Sequence, residues 1–302
     1  MISNRINYII LEGPDLAGKT TFYNQFHKQT GYKWNIRDRS GISMLIYAQQ
    51  YGRDTFRAVE LLRQELYNLN NFVILLLPPW EVIKERYEKR GDEIQNLESL
   101  EYVYQKFQEA AEEFECYPNV IVIRKEVDDQ IISSIADQLD RFENESFKVL
   151  QKSTQSICLQ SDTAECVGIN FTHYDDGRFL DVNDLDLTYH KEIDYYNGIR
   201  KRLFDKLDNE LEGNNEYNRK ESLSSRRFIY TDDTCISLAH FLIRDDGLDC
   251  QFFLRSSNVK DTLYYDLNFL KSLTRDVFNK FNLNNDENFC KMKFVINSAH
   301  II

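Results

Sequence analysis

The sequence predicts an α/β domain, a parallel sheet with helices on both faces, followed by an α+β domain. Three observations predict it. Short apolar runs alternate with helical periodicity over residues 1–142. The glycine-bearing stretch Gly13-Pro14-Asp15-Leu16-Ala17-Gly18-Lys19-Thr20 lies between the first apolar run and the first helical pattern. From residue 228 the chain changes to two strand-like runs joined through Asp246-Gly247, a good hairpin signal. A length of 302 residues exceeds the usual single core and agrees with two domains.

Taken in order, apolar strands are expected at 7–11, 33–37, 72–77 and 119–123, each bounded by turn residues. Between them Phe56, Val59, Leu62, Leu66 and Leu69 recur at helical spacing, as do Leu100, Val103, Tyr104, Phe107, Ala111 and Phe114. Strands separated by helices make βαβ units and a parallel sheet. Residues 143–165 weaken into a Gln/Ser/Thr-rich stretch, expected to link a domain at 1–142 to a domain at 166–302. A second polar run, Gly213 to Glu221, reads as an exposed loop. Cys235–Ile243 and Asp249–Leu254 are the hairpin strands. Leu267, Leu270, Leu273, Val277 and Phe281 then share a helix face, and Lys291–Ile296 closes as a strand.

Composition narrows the setting. Apolar content of 42% and aromatic content of 13% suffice for folded cores. The net charge of −12 argues against general attraction to nucleic acid, so DNA is not a favoured partner, although a local basic groove stays open. No apolar run approaches a membrane span, and no signal-peptide core is expected at the N-terminus. The six cysteines show neither C-x-x-C pairs nor zinc spacing, which predicts a reduced, cytoplasmic chain.

The stretch at 13–20 is a complete G-x-x-x-x-G-K-T pattern in strand–loop–helix context. Gly13 and Gly18 let backbone amides converge on phosphate oxygens, with Asp15 inside the loop, and the helix beginning near Thr21 points its positive end at the same anion. Lys19 is placed for the outer phosphates and Thr20 for Mg²⁺, so ATP or GTP is the expected ligand. Asp38-Arg39-Ser40 falls on the same sheet edge. There Asp38 can hold Mg²⁺ through water or orient an acceptor, and Arg39 can clamp its phosphate; a capped turn with a surface charge pair is the bland alternative. Cations between Lys84 and Arg90 suit a lid over ATP, although such a run alone is more often a solvated helix face.

Together, Leu11-Glu12-Gly13-Pro14-Asp15 with its loop, Asp38-Arg39-Ser40, Pro78-Pro79 and the Arg-rich run at 84–90 resemble the thymidylate kinase-like family of deoxynucleoside monophosphate kinases, over residues 5–140. The resemblance implies a P-loop nucleotide kinase fold in which Lys19, Thr20 and Thr21 serve ATP and Mg²⁺. It also implies that Asp38 and Arg39 serve the acceptor and that Arg86 and Arg90 belong to the lid. The chain from the first helix to Asp38 is shorter than in those kinases, a layout shared with compact phage-type kinases of nucleotides or of modified bases in DNA.

In the second half, a lone Cys235 in an apolar run is more often core than nucleophile. Here Arg255-Ser256 follows at the end of the paired strand, with Asp266 and His300 beyond; cations beside a thiolate favour nucleophilic chemistry and can hold a nucleotide phosphate. Cys235, Gln251, Arg255-Ser256, Ser225-Arg226-Arg227 and Asn297–His300 resemble the thymidylate synthase and deoxycytidylate hydroxymethylase family. That resemblance implies Cys235 as nucleophile and Arg226, Arg227, Arg255, Ser256 and His300 on the nucleotide's phosphate and sugar. It further implies methylene-tetrahydrofolate as one-carbon donor and a homodimer. In it Asp266 reads a cytosine edge, whereas a charged residue at a helix start is the competing explanation. Ile236 stands where that family has a histidine. The combined expectation is a bifunctional enzyme acting on a pyrimidine deoxynucleoside monophosphate. The alternative is a kinase of hydroxymethylated pyrimidine, in DNA or nucleotide, with a second domain used only for binding or dimerisation.

Overall fold

The computed structural model describes residues 6–91, 95–144, 147–161, 163–175, 193–213, 228–244, 247–281, 283 and 289–301. It divides into two compact units between Glu143 and Asn144. Both are of the α/β class in the broad sense, one built on a parallel sheet and one on a mixed sheet.

The first unit alternates as the sequence predicts: β1 (Tyr8–Glu12), α1 (Lys19–Thr30), β2 (Ile36–Asp38), α2 (Gly41–Gln50), α3 (Phe56–Leu66), β3 (Asn71–Leu76), α4 (Trp80–Arg90), α5 (Leu97–Phe114), β4 (Val120–Ile123) and α6 (Asp129–Glu143). The sheet order is β2-β1-β3-β4, all parallel, with Leu11 opposite Asp38 and Ile74. Every residue of β3 is buried, as a strand covered on both faces requires. One face packs Ile10, Val73 and Leu75 against Ile46, Leu62, Val103 and Phe107. On the other face Phe72 meets Phe142 of α6 edge-on, with ring centroids 4.8 Å apart. Because the strands run together, β1 and β2 end on one edge, and the loops that follow them are neighbours there.

In the second unit α7 (Phe147–Gln160), β5 (Glu165–Asp175), α8 (Ile193–Gly213), β6 (Ile229–Thr231), β7 (Ile236–Arg244), β8 (Gly247–Leu254), β9 (Ser257–Asn258), α9 (Leu263–Lys280) and β10 (Phe289–His300) follow. The sheet runs β5-β10-β8-β7-β6, with β9 beside β10. β7 and β8 are antiparallel with Arg244 opposite Gly247, so the hairpin is present, while β8 and β10 are parallel. Leu248, Cys250, Phe252 and Leu254 are buried, whereas Gln251 and Phe253 point to the exposed side. This alternation belongs to a sheet covered on one face.

The link expected at 143–165 is corrected. Most of it is α7, which packs on α9, β5 and β10 of the second unit. Phe147, Leu150, Ile157 and Cys158 form its buried stripe, and Thr154 satisfies its buried hydroxyl by donating to the Leu150 carbonyl at 2.8 Å. Of the Gln, Ser and Thr letters that made the stretch look like a linker, Gln151, Gln155, Ser156 and Gln160 lie on the more exposed face of an amphipathic helix, while Ser153 and Thr154 are buried. The loop expected from Gly213 to Glu221 lies outside the described residues from 214 onward. No described helix is long and apolar enough to cross a membrane.

His173 of β5 is buried against the Phe147 ring at 4.7 Å, and burial, aided by Lys271, lowers its pKa to about 3. Between that value and the unfolded value near 6.5, the unfolded chain binds a proton that the folded chain does not. Stability of this unit is therefore expected to fall as pH drops below about 6.5. Thermal unfolding followed from about pH 7.5 to about pH 5 should show a steeper loss in the native chain than in a His173→Phe variant; parallel slopes would refute the assignment.

Candidate active site

β1 delivers its last residue, Glu12, directly to the loop at 13–20. Gly13 adopts φ +138°, and a Cβ built there would lie 2.3 Å from the Leu76 carbonyl oxygen at the end of β3. Only glycine lets the loop leave the sheet along this path. Gly18 precedes α1 without any side-chain cap, so no residue of its own occupies the positive end of that helix. The Lys19 ammonium donates to the carbonyls of Gly13 at 2.7 Å and Pro14 at 2.8 Å, and stands 4.0 Å from Asp15. Burial lowers the pKa of Lys19, opposed by Asp15.

Around this loop a cleft of about 720 Å³ is lined by Asp15, Gly18, Lys19, Thr20, Thr21, Asp38, Arg39, Arg86, Lys89 and Arg90, with Leu11, Tyr23 and Ile36 as apolar wall. Arg39, at φ +65°, sends its guanidinium to Asp15. Asp15 also accepts from the Tyr47 hydroxyl at 3.0 Å and from the Gln95 amide at 2.7 Å. Burial and the Asp15 charge push the Tyr47 phenol up to about 12, so it remains a donor at neutral pH. Arg86 of α4 donates to the Leu16 carbonyl at 2.8 Å and to Glu126 at 2.6 Å, which holds it over the loop.

The neighbouring helix start is closed to anions. The amide of Ser40 donates to Glu12 at 2.7 Å, that of Ser43 to Glu12 at 3.1 Å, and that of Gly41 to Glu65 at 3.0 Å. Burial raises the pKa of Glu65. Two carboxylates thus occupy the N-terminus of α2, and an incoming phosphate is left to α1 and the cations. Such a cleft has the chemistry to hold a polyphosphate, with Thr20 and Asp38 on its wall able to share a divalent cation with phosphate oxygens. Among the described residues no cluster of three or more His, Cys, Asp or Glu groups is arranged to hold a metal alone.

Of the residues expected to serve ATP, Mg²⁺ or the acceptor, Asp15, Gly18, Lys19, Thr20, Thr21, Asp38, Arg39, Arg86 and Arg90 line this cleft; Gly13 shapes the loop instead, and Ser40 and Lys84 are not on the cleft wall. Sequence reasoning missed Tyr47 and Gln95. Tyr47 stands at helical spacing from Ser43 and Ser40, a register that becomes visible only once α2 is known to start beside the loop.

In the second unit Cys235 is exposed just before β7, its Sγ 3.8 Å from the Ser256 hydroxyl. The Arg255 amide donates to the Cys235 carbonyl at 2.8 Å, so the hairpin brings Cys235, Arg255 and Ser256 to one end of the sheet. Tyr195, also unforeseen, donates to Thr234 Oγ1 at 3.1 Å and lies 3.1 Å from the Ile236 amide, flanking the thiol. His300 ends β10 opposite Asn258 and Glu165. Arg226 and Arg227 lie outside the described residues. Asp266, in the first turn of α9, is 3% exposed and accepts from the hydroxyls of Tyr196 and Ser257, each at 2.9 Å. No known family model matches the chain, and no curated protein matches it.

Proposed function

We propose that the first unit is an ATP-dependent phosphotransferase with a P-loop kinase fold, acting on a pyrimidine deoxynucleoside monophosphate. The observation that carries this reading is the convergence of Lys19, Thr20, Asp38, Arg39 and Arg86 on one cleft beneath the uncapped start of α1. ATP with Mg²⁺ supplies the transferable γ-phosphoryl group. The loop amides and Lys19 bind its phosphates, Thr20 and Asp38 hold the cation's side of the cleft, and Arg39 orients the acceptor phosphate. Arg86, Lys89 and Arg90 neutralise charge that builds on the transferred group, which is the larger part of catalysis in such reactions. Incubation with ATP·Mg²⁺ and each deoxynucleoside monophosphate, followed by mass analysis, is expected to give a diphosphate from a pyrimidine substrate. Phosphate appearing only on hydroxymethylated DNA would replace this acceptor with the alternative one.

For the second unit we propose a thymidylate synthase-like fold that binds a pyrimidine nucleotide beside Cys235, Arg255 and Ser256. If it transfers a one-carbon unit from methylene-tetrahydrofolate to C5, Cys235 is the nucleophile, and Cys235→Ser is expected to abolish the product. A purely binding role is favoured by one observation: Ile236, an apolar and fully buried residue, follows Cys235 where the resembled family has a histidine. Titration of dCMP and dUMP against native chain and Cys235→Ser, repeated with methylene-tetrahydrofolate present and followed by mass, separates the two: a binding unit keeps its affinity and yields no C5 product in either, whereas a transferase yields product in the native chain only.

A further inference from the structure

Glu12 is the last residue of β1 and is fully buried, yet it carries a carboxylate. Buried carboxylates are retained where several donors converge on them. Here the donors come from one short segment. Oε1 accepts from the Ser40 amide at 2.7 Å, the Ser40 hydroxyl at 2.6 Å and the Ser43 amide at 3.1 Å, while Oε2 accepts from the Ser43 hydroxyl.

Ser40 stands at the N-cap of α2, where a serine hydroxyl ordinarily accepts from the amide three residues on. It does not do so here. Its hydroxyl is turned round to donate to Glu12, and Glu12 takes the Ser43 amide in its place. The cap of α2 is therefore supplied by β1, from 28 residues earlier in the chain. One further bond strengthens the junction, from the Arg39 amide to the Leu11 carbonyl at 2.9 Å. Arg39 is held in the left-handed region, a conformation that needs its surroundings to enforce it.

We infer that Glu12 is a positioning residue that fixes Asp38-Arg39 relative to the phosphate-binding loop without itself touching nucleotide. Glu12 immediately precedes Gly13, so one side chain locks the nucleotide half of the cleft to its acceptor half. The neighbours are consistent in charge: Glu12 faces Lys19 and Arg39 across the site, and Glu65 takes the remaining Gly41 amide. In chemical terms, a shift of about 1 Å at the acceptor clamp is enough to cost about 100-fold in rate, even where binding of the other substrate is untouched. The consequence for catalysis rests on the kinase reading above; the positional role itself does not.

The test uses the full chain with Glu12→Gln and the milder Ser43→Ala. Hydrogen exchange should rise at residues 38–43 in Glu12→Gln, less in Ser43→Ala, with exchange at 13–20 and its protection by ATP·Mg²⁺ unchanged. A fluorescent ATP analogue should bind all three proteins within about twofold, while transfer to the acceptor falls by about 100-fold in Glu12→Gln, with the acceptor KM raised. Combining the two substitutions should add little, because both act through one junction. Unchanged exchange at 38–43, or equal losses in ATP binding and transfer, would overturn the inference. If the native chain phosphorylates no acceptor, the kinase reading fails, and the exchange and ATP-binding results still decide the role of Glu12.

Discussion

Lys19→Ala is expected to lower phosphoryl transfer by about 10²–10³-fold, the loss typical of removing one preorganised charge from a transition state. The lysine contributes little to the fold. Its ammonium holds only the Gly13 and Pro14 carbonyls, and its partner Asp15 keeps Arg39, Tyr47 and Gln95. Thermal unfolding of the variant should therefore match the native chain. Lys19→Arg should not restore the rate, because a planar guanidinium cannot reproduce a point charge folded back on two carbonyls. Steady-state rates and the dissociation constant for ATP, measured on both variants, check this. A variant retaining more than about half the native rate would remove Lys19 from the mechanism.

Gly13→Ala is expected to be as damaging by a different route. Its methyl group would sit 2.3 Å from the Leu76 carbonyl oxygen, and φ is +138°. Neither atom can yield cheaply, since one belongs to the fully buried β3 and the other to the loop itself. The expected result is loss of ATP binding together with a lower unfolding temperature. Gly52→Ala is the control: φ is +61° with nothing within 4 Å, so it carries only the left-handed cost of about 1–2 kcal/mol. If Gly13→Ala unfolds no earlier than Gly52→Ala and still binds ATP, the loop does not depend on that close approach.

Much of the first unit was legible because its signals are local. The strands at 8–12, 71–76 and 120–123 are apolar runs, and the loop at 13–20 is contiguous, so pattern and spacing were sufficient. The Asp15–Tyr47–Gln95 set was not legible, since its members lie far apart in sequence and meet only after α2 and α5 pack. Glu12 was visible as a letter but not as a cap, because the serines it holds belong to another βα connection. In the second unit the hairpin placed Cys235 beside Arg255 as its spacing suggested. The burial of Asp266 and its bonds to Tyr196 and Ser257 were not legible, because a residue's place near a helix start does not reveal them. α7 was missed because its apolar stripe is narrow and its outer face is as polar as a linker.

In the proposed reaction the loop at 13–20 presents the γ-phosphoryl of ATP to a pyrimidine deoxynucleoside monophosphate held at Asp38-Arg39. Its most direct test is a single-turnover reaction with γ-labelled ATP·Mg²⁺, enzyme in excess, and the monophosphates supplied one at a time. Label is expected to leave ATP for the acceptor phosphate of a pyrimidine deoxynucleotide, in the native chain and not in Lys19→Ala. Label that stays on ATP, or passes only to water with every monophosphate, would contradict it.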